Sequence, residues 1–236
     1  MTRWAIAALA ALLAACTDST SAPQVEPIVE RVDHLMFAVA DLEEGIAQVE
    51  ALTGVRAQLG GAHPGRGSHN ALLSLGPRVY LEIIAPDPKQ AEPRSLESFG
   101  LSATRSSRLV SWALNAPDLV RLAADAGTKG FPMTEPENGE RRRPDGRVLS
   151  WRTTALKDES IGDGVVPFFI DWGATEHPAV SSPKGVQLVG LRVRHPSSRS
   201  LQPIYDALGI PLQIETGSEP AMIAVLDTPR GRVELR

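Results

Sequence analysis

The stretch "VDHLMFAVADLEEGIAQVEALTGV", residues 32–55, passes from one apolar pattern into another. Its first part, 32–39, reads as a strand. Asp41 then stands where a helix N-cap belongs, its carboxylate able to accept a free N–H of the first turn. Leu42, Ile46, Val49 and Leu52 follow at helical spacing, and Gly54 closes the helix. Strand, cap, helix and glycine make one unit.

That unit returns. In "LVSWALNAPDLVRLAADAGTKGF", residues 109–131, Asp118-Leu119 lies 77 positions after Asp41-Leu42. In "VQLVGLRVRHPSSRSLQPIYDALGI", residues 186–210, Ser197 takes the cap position. Short strands are expected after each helix: near 55–59, 70–76 and 79–85 in the first unit, 148–156 and 165–172 in the second, and 212–215, 221–227 and 231–236 in the third. The chain therefore reads as βαβββ repeated three times, an α+β fold. Many of these strands are apolar on both alternating faces, as strands should be that are covered on one side and line a concavity on the other.

Composition narrows the function. Hydrophobic residues make up 42% of the 236, ample for a core, and a formal charge of −4 offers no basic stripe for a phosphate backbone, so nucleic acid is not expected as a partner. There is no P-loop, no GxSxG elbow, and no HExxH or paired-cysteine zinc spacing, which leaves NTPase, serine hydrolase and zinc protease readings without support.

The N-terminus has its own pattern. "MTRWAIAALAALLAAC" begins with Arg3, continues with an apolar run too short to span a bilayer, and ends in small residues before Cys16, the single cysteine. Leu13-Ala14-Ala15-Cys16 resembles a bacterial lipobox, which implies cleavage before Cys16 and lipidation of its thiol, palmitate included. Residues 17–30, polar with two prolines, suit a tether. The expected location is the bacterial cell envelope, on the periplasmic side, and Thr17 in place of Asp favours the outer membrane. Contact with the membrane is expected through the lipid anchor alone.

The strings "VDHLMFAVADL", "HPGRGSHNALLSLG", "YLEIIAPD", "RPDGRVLSWR" and "VPFFIDWG", in that order, resemble the vicinal oxygen chelate superfamily (glyoxalase I, bleomycin-resistance proteins, extradiol dioxygenases), and within it the glyoxalase-like domain family. The resemblance covers about 31–236. It implies a half-open barrel of paired modules over 31–175, with a third module over 185–236 packed on the same domain, after a signal peptide at 1–15 and a lipidated tether at 16–30.

The resemblance also implies a metal held by residues on the first and last strands of each module. In the first module these are His34 and Glu82, ligand types that Zn, Fe, Mn and Ni accept. The second module departs from the pattern, with Ser111 in the place of His34 and Asp171 in that of Glu82, and the third offers Gly190 and Glu234. His69 is a candidate further ligand, and Asp171 a candidate ligand or base. The plain alternative for His34 and Glu82 is a hydrogen-bonded buried pair.

Gly60-Gly61, Gly65 and Gly67 free the backbone around "HPGRGSHN" to turn tightly, so this loop suits the rim of a site for an anionic or carbonyl-bearing ligand. Arg66 would be its clamp and Asn70 a hydrogen-bonding partner across the mouth. "ERRRPDGR", residues 140–147, reads as a solvated loop tip from which Arg142 or Arg143 could reach a pocket. Trp112, Trp151 and Trp172 read as core or pocket wall. His63, His177 and His195, each followed by proline, receive no role.

Two functions follow. One is a metal-dependent enzyme, a lyase or dioxygenase of glyoxalase type, acting on a small carbonyl or vicinal-oxygen compound. The other is a metal-free module that sequesters a small molecule. A third reading, an interaction domain without a ligand, requires a barrel filled by its own side chains.

Overall fold

The computed structural model describes residues 27–101, 107–143 and 145–236, together with Met1. The signal segment, Cys16 and most of the tether lie outside the described residues. Among the described residues no helix is long and apolar enough to cross a membrane.

The elements run β1 (Val32–Val39), α1 (Leu42–Thr53), β2 (Gln58–His63), β3 (Ser68–Gly76), β4 (Val79–Pro86), β5 (Ser107–Asn115), α2 (Leu119–Thr128), β6 (Glu137–Arg142), β7 (Val148–Thr154), β8 (Phe168–Asp171), α3 (Pro178–Ser181), β9 (Gln187–His195), α4 (Ser198–Ala207), β10 (Ile214–Thr216), β11 (Ala221–Thr228) and β12 (Gly231–Leu235). The βαβββ unit is present three times. Asp41 and Asp118 accept from the backbone N–H groups of Glu44 and Arg121, and Gly54 takes the left-handed conformation that ends α1. Ser197 stands at the N-cap of α4 without a side-chain bond, and its own N–H donates to His195 Nδ1.

Two expectations are corrected. The second strand of the first unit lies at 58–63 rather than near 55–59. The "ERRRPDGR" stretch is not all loop, because its first three residues finish strand β6, paired with β7.

An eight-stranded sheet has the order β2-β3-β4-β1-β5-β8-β7-β6, with β1 and β5 antiparallel at its centre, and a separate four-stranded sheet has the order β10-β9-β11-β12. The larger sheet curls until its edges β2 and β6 touch, so that a β-carbon on Gly61 would collide with the carbonyl of Arg142. Residues alternate across it. Leu35, Phe37, Leu81, Ile83, Leu114 and Phe169 face outward into a core shared with α1, α2 and residues of the third unit such as Leu191 and Tyr205. Trp112 Nε1 and the Tyr205 hydroxyl both donate to the carbonyl of Val165, at 2.5 and 2.6 Å, fastening the segment before β8. The inward face holds a smaller cluster around Leu72, Tyr80, Ala113, Ile170 and Trp172. A cavity of about 430 Å³ remains, so the barrel is not filled by its own side chains.

Candidate functional site

The cavity is lined on its first-module side by His34, His63, Asn70, Tyr80 and Glu82, and on the other by Ser111, Arg141, Trp151, Phe168 and Ile170. His34 is aimed by its neighbour. Between Val32 and His34 the β1–β5 register shifts, leaving Asp33 as the extra residue of a bulge, which is how a strand re-aims a side chain. Asp33, 1% exposed, accepts from Trp172 Nε1 at 3.0 Å and stands 3.2 Å from His177 Nε2 and 2.8 Å from His34 Nδ1. Burial alone would raise its pKa, but the hydrogen bonds and charge of His177 and His34 outweigh burial and hold the carboxyl far below its ordinary value.

The tautomers follow from these partners. His177 Nδ1 accepts the N–H of Ala179, so its Nε2 carries the proton that points at Asp33. Asp33, as a carboxylate, can only accept, so His34 carries a proton on Nδ1 and turns Nε2 toward the cavity, where in the neutral ring it offers a lone pair. The His34 ring is stacked on Tyr80 with centroids 4.7 Å apart.

Asn70 sorts the other side. Its Nδ2 donates to Glu82 Oε1 at 2.6 Å and to His63 Nε2 at 3.3 Å, while its Oδ1 accepts from Arg141 Nη1 at 3.1 Å. His63 Nδ1 is therefore the protonated nitrogen, 2.9 Å from Ser68 Oγ. Glu82 thus lies between two imidazoles: His34 Nε2 is 3.8 Å from Oε2 and His63 Nε2 is 3.6 Å from Oε1. Burial works to raise the Glu82 pKa, yet the charges of His63 and His34, the Asn70 N–H and Arg141 together hold it below the ordinary value. Burial pushes the His63 imidazole down, against the pull of Glu82.

The structure brings His34, Glu82 and Asn70 together, with Ser111 and Arg66 on the same cavity. His69 and Asp171 lie elsewhere. On β3 the alternation that turns Ser68 and Asn70 inward turns His69 outward, to 3.9 Å from Asp87. On β8 Phe168 and Ile170 face the cavity, while Asp171 points away and is bound to Arg152 Nη2 at 2.7 Å. Arg142 and Arg143 also miss the cavity, bonding to the Gly146 carbonyl and to Ser181 Oγ, and Arg141 enters instead. Glu234 pairs with Arg192 and Arg236 on the third unit's own sheet. Sequence reasoning missed His63, His177, Asp33 and Arg141. The bulge at β1 and the β6–β7 register that bring Asp33 and Arg141 inward leave no local mark.

Does this donor set suit a divalent ion? Its residue types do, because neutral imidazole and ionised carboxylate are the ligand forms such ions take, and burial pushes His63 toward the neutral form while Glu82 is held toward the ionised one. An Asp–His pair that fixes the tautomer is also a common support for a ligating histidine. The spacing is wider than in a closed site: donors sharing an ion at ~2.1 Å are roughly 3–3.4 Å apart. Among the described residues no three His, Cys, Asp or Glu side chains are yet close enough to hold one. The second module places Ser111, a poor ligand, on the same cavity, and its carboxylates there, Glu137, Glu140, Asp158 and Glu159, form no metal-holding group with the first-module residues among those described, so the set fits an ion in chemistry through His34, His63 and Glu82 alone.

Residues 32–209 match the model of the glyoxalase-like domain. Among solved structures the chain is similar to a hypothetical protein from Staphylococcus aureus, at 13% identity and a TM-score of 0.62, covering 80% of this chain and 87% of that one. It is also similar to methylmalonyl-CoA epimerase from Mycobacterium tuberculosis, at 20% identity and a TM-score of 0.44, covering 66% of this chain and 94% of that one. For Streptomyces coelicolor methylmalonyl-CoA epimerase the figures are 21%, 0.44, 61% and 98%. The first likeness is one of fold alone, and the other two are too slight to bear on chemistry. None of the curated proteins matches the chain.

Proposed function

The chain belongs to the glyoxalase-like domain family, and from the setting of Glu82 between two imidazoles we propose that it is a metal-dependent enzyme acting on a small carbonyl or vicinal-oxygen compound. The observation that carries this reading is the direction of the nitrogens. His34 Nε2 and His63 Nε2 face the two oxygens of one buried carboxylate at 3.8 and 3.6 Å. A carboxylate set between two imidazole nitrogens is an arrangement that a shared cation satisfies, and a divalent ion takes all three groups as ligands.

His34, His63 and Glu82 would hold the ion, two imidazoles and a carboxylate on one face, a pattern that leaves positions for substrate oxygens. When bound, the ion supplies Lewis-acid polarisation of those oxygens. The chain's residues do the rest: Asp33 keeps the His34 proton on Nδ1, Asn70 holds Glu82 and His63 in register, and Phe168, Trp151 and Ile170 give the substrate a dry wall. Addition of Mn, Fe, Ni or Zn to the chelator-treated protein, followed by assay on 2-oxoaldehyde and catechol panels, tests the proposal. Turnover that depends on one of these ions supports it, and turnover indifferent to all of them counts against it.

A second reading has its own observation. Asn70 already bonds to both Glu82 and His63, which suits a metal-free pocket that sequesters a small molecule. Ligand binding without any metal-dependent turnover would favour it. We also propose, from the N-terminal pattern alone, that Cys16 is lipidated and tethers this site to the outer membrane.

A further inference from the structure

Arg141 is 3% exposed, yet among the described residues it forms no ion pair, and its one side-chain hydrogen bond runs from Nη1 to Asn70 Oδ1 at 3.1 Å. A guanidinium has five N–H donors and does not lose its charge in a protein. Burying it with most of those donors facing a cavity is costly unless something else accepts from them. Glu82 tempers the charge from behind Asn70 but does not pair with it.

The fold makes room for this arginine. The β2–β3 register shifts between Leu59 and Gly61, leaving Gly60 as a bulge residue. A β-carbon on Gly60 would fall on Arg141 Nη1 and Asn70 Oδ1. Glycine at that point lets the side chain cross the seam between β6 and β2 and reach the cavity. Trp151 and Trp172, with ring centroids 5.2 Å apart, line the same space and offer an apolar wall.

We infer that Arg141 is an anion receptor within the cavity, taking the carboxylate of a small organic acid whose body lies against Trp151 and Trp172. This rests on the proposed function only in treating the cavity as a ligand site, and it requires no ion. Paired, parallel N–H···O bonds are what a guanidinium gives a carboxylate and what a neutral amide cannot receive in the same way. One amide side chain, Asn70, separates Arg141 from Glu82.

The test uses chelator-treated protein, with calorimetric titration of benzoate, its neutral isostere benzamide, and inorganic phosphate. Wild type should bind benzoate at least about tenfold more tightly than benzamide, the difference expected of a charge-assisted pair, and more tightly than phosphate, which pairs with a guanidinium as well but has no apolar body to set against Trp151 and Trp172. Arg141→Met should bring benzoate down to the level of benzamide and leave benzamide unchanged. Gly60→Ala, which displaces the guanidinium without removing it, should weaken benzoate selectively and covers the case in which Arg141→Met does not fold. Equal binding of benzoate and benzamide, no binding of benzoate, a preference for phosphate, or benzoate affinity unaltered in both variants would overturn the assignment. Because no metal is present, such a failure leaves the metal reading standing, and the loss of that reading leaves this one untouched.

Discussion

Asp33 and His34 are consecutive on one strand, where side chains should point to opposite faces, and yet they meet, Asp33 Oδ1 to His34 Nδ1 at 2.8 Å. The bulge at Asp33 makes this contact, and Trp172 and His177 hold the carboxylate from behind. Asp33→Asn would keep the shape but turn an N–H toward His34 Nδ1, moving the imidazole proton to Nε2. Metal affinity should fall roughly 10–100-fold, the usual cost of losing an outer partner of a ligating histidine. Nitrogen-15 spectra of the metal-free protein should show His34 changing tautomer. An unchanged tautomer would refute the role given to Asp33.

Acid should weaken the fold in two stages. His63 sits below its ordinary value of 6.5 in the folded chain, so the unfolded chain takes its proton first. That stability is fully present above pH 6.5 and is lost as pH falls toward the folded value. Asp33 and Glu82 are likewise depressed from 3.8 and 4.5, so their contributions are present above those values and are lost as pH falls further. Melting temperature followed from pH 8 to pH 3 should decline below about 6.5, with the upper stage missing in His63→Gln. A melting temperature that rises on acidification would contradict this assignment.

Gly67 pins the rim. Its φ is +64°, its carbonyl accepts from the N–H groups of Asp87 and Arg94 at 2.9 and 2.7 Å, and a β-carbon there would strike the backbone of Glu92 and Arg94. Gly67→Ala should cost about 1–3 kcal/mol in denaturant unfolding, by backbone strain, and expose the segment at 87–101 to proteolysis. Arg66, on the same turn, is exposed, and Arg66→Ala should leave stability within about 0.5 kcal/mol. Equal stability losses in the two variants would show that the turn is not held at Gly67.

How far the molecule is legible in its sequence depends on whether a residue's place is set locally. Asp41, Asp118 and Gly54 end helices through contacts within a few residues, so the three modules could be read from spacing. His34 and Glu82 sit on long strands whose pairing follows the repeat. His63, Asp33 and Arg141 are different: which way each faces is decided by a register shift or by the partner strand. The same cause misplaces Asp171, since pairing on β8 turns Phe168 and Ile170 inward. His177 reaches Asp33 from 144 residues away, a distance that local pattern cannot span.

The proposed anchor rests on sequence alone. On the proposed lipidation, Cys16→Ala should leave the N-terminus unprocessed or release the protein from the membrane fraction, because the thiol that would carry the lipid is gone. Cell fractionation and the mass of the mature chain check this. An unchanged membrane fraction with an unchanged N-terminal mass would remove the anchor.

If His34, His63 and Glu82 form one metal site, as proposed, elemental analysis of the purified wild type and three alanine variants will show it. About one divalent ion per wild-type chain is expected, with a melting temperature that rises when that ion is added, and loss of both in His34→Ala, His63→Ala and Glu82→Ala alike. A wild type that carries no ion and melts at the same temperature with Zn, Mn, Ni or Fe, while the variants are destabilised by their unpaired partners, would contradict it.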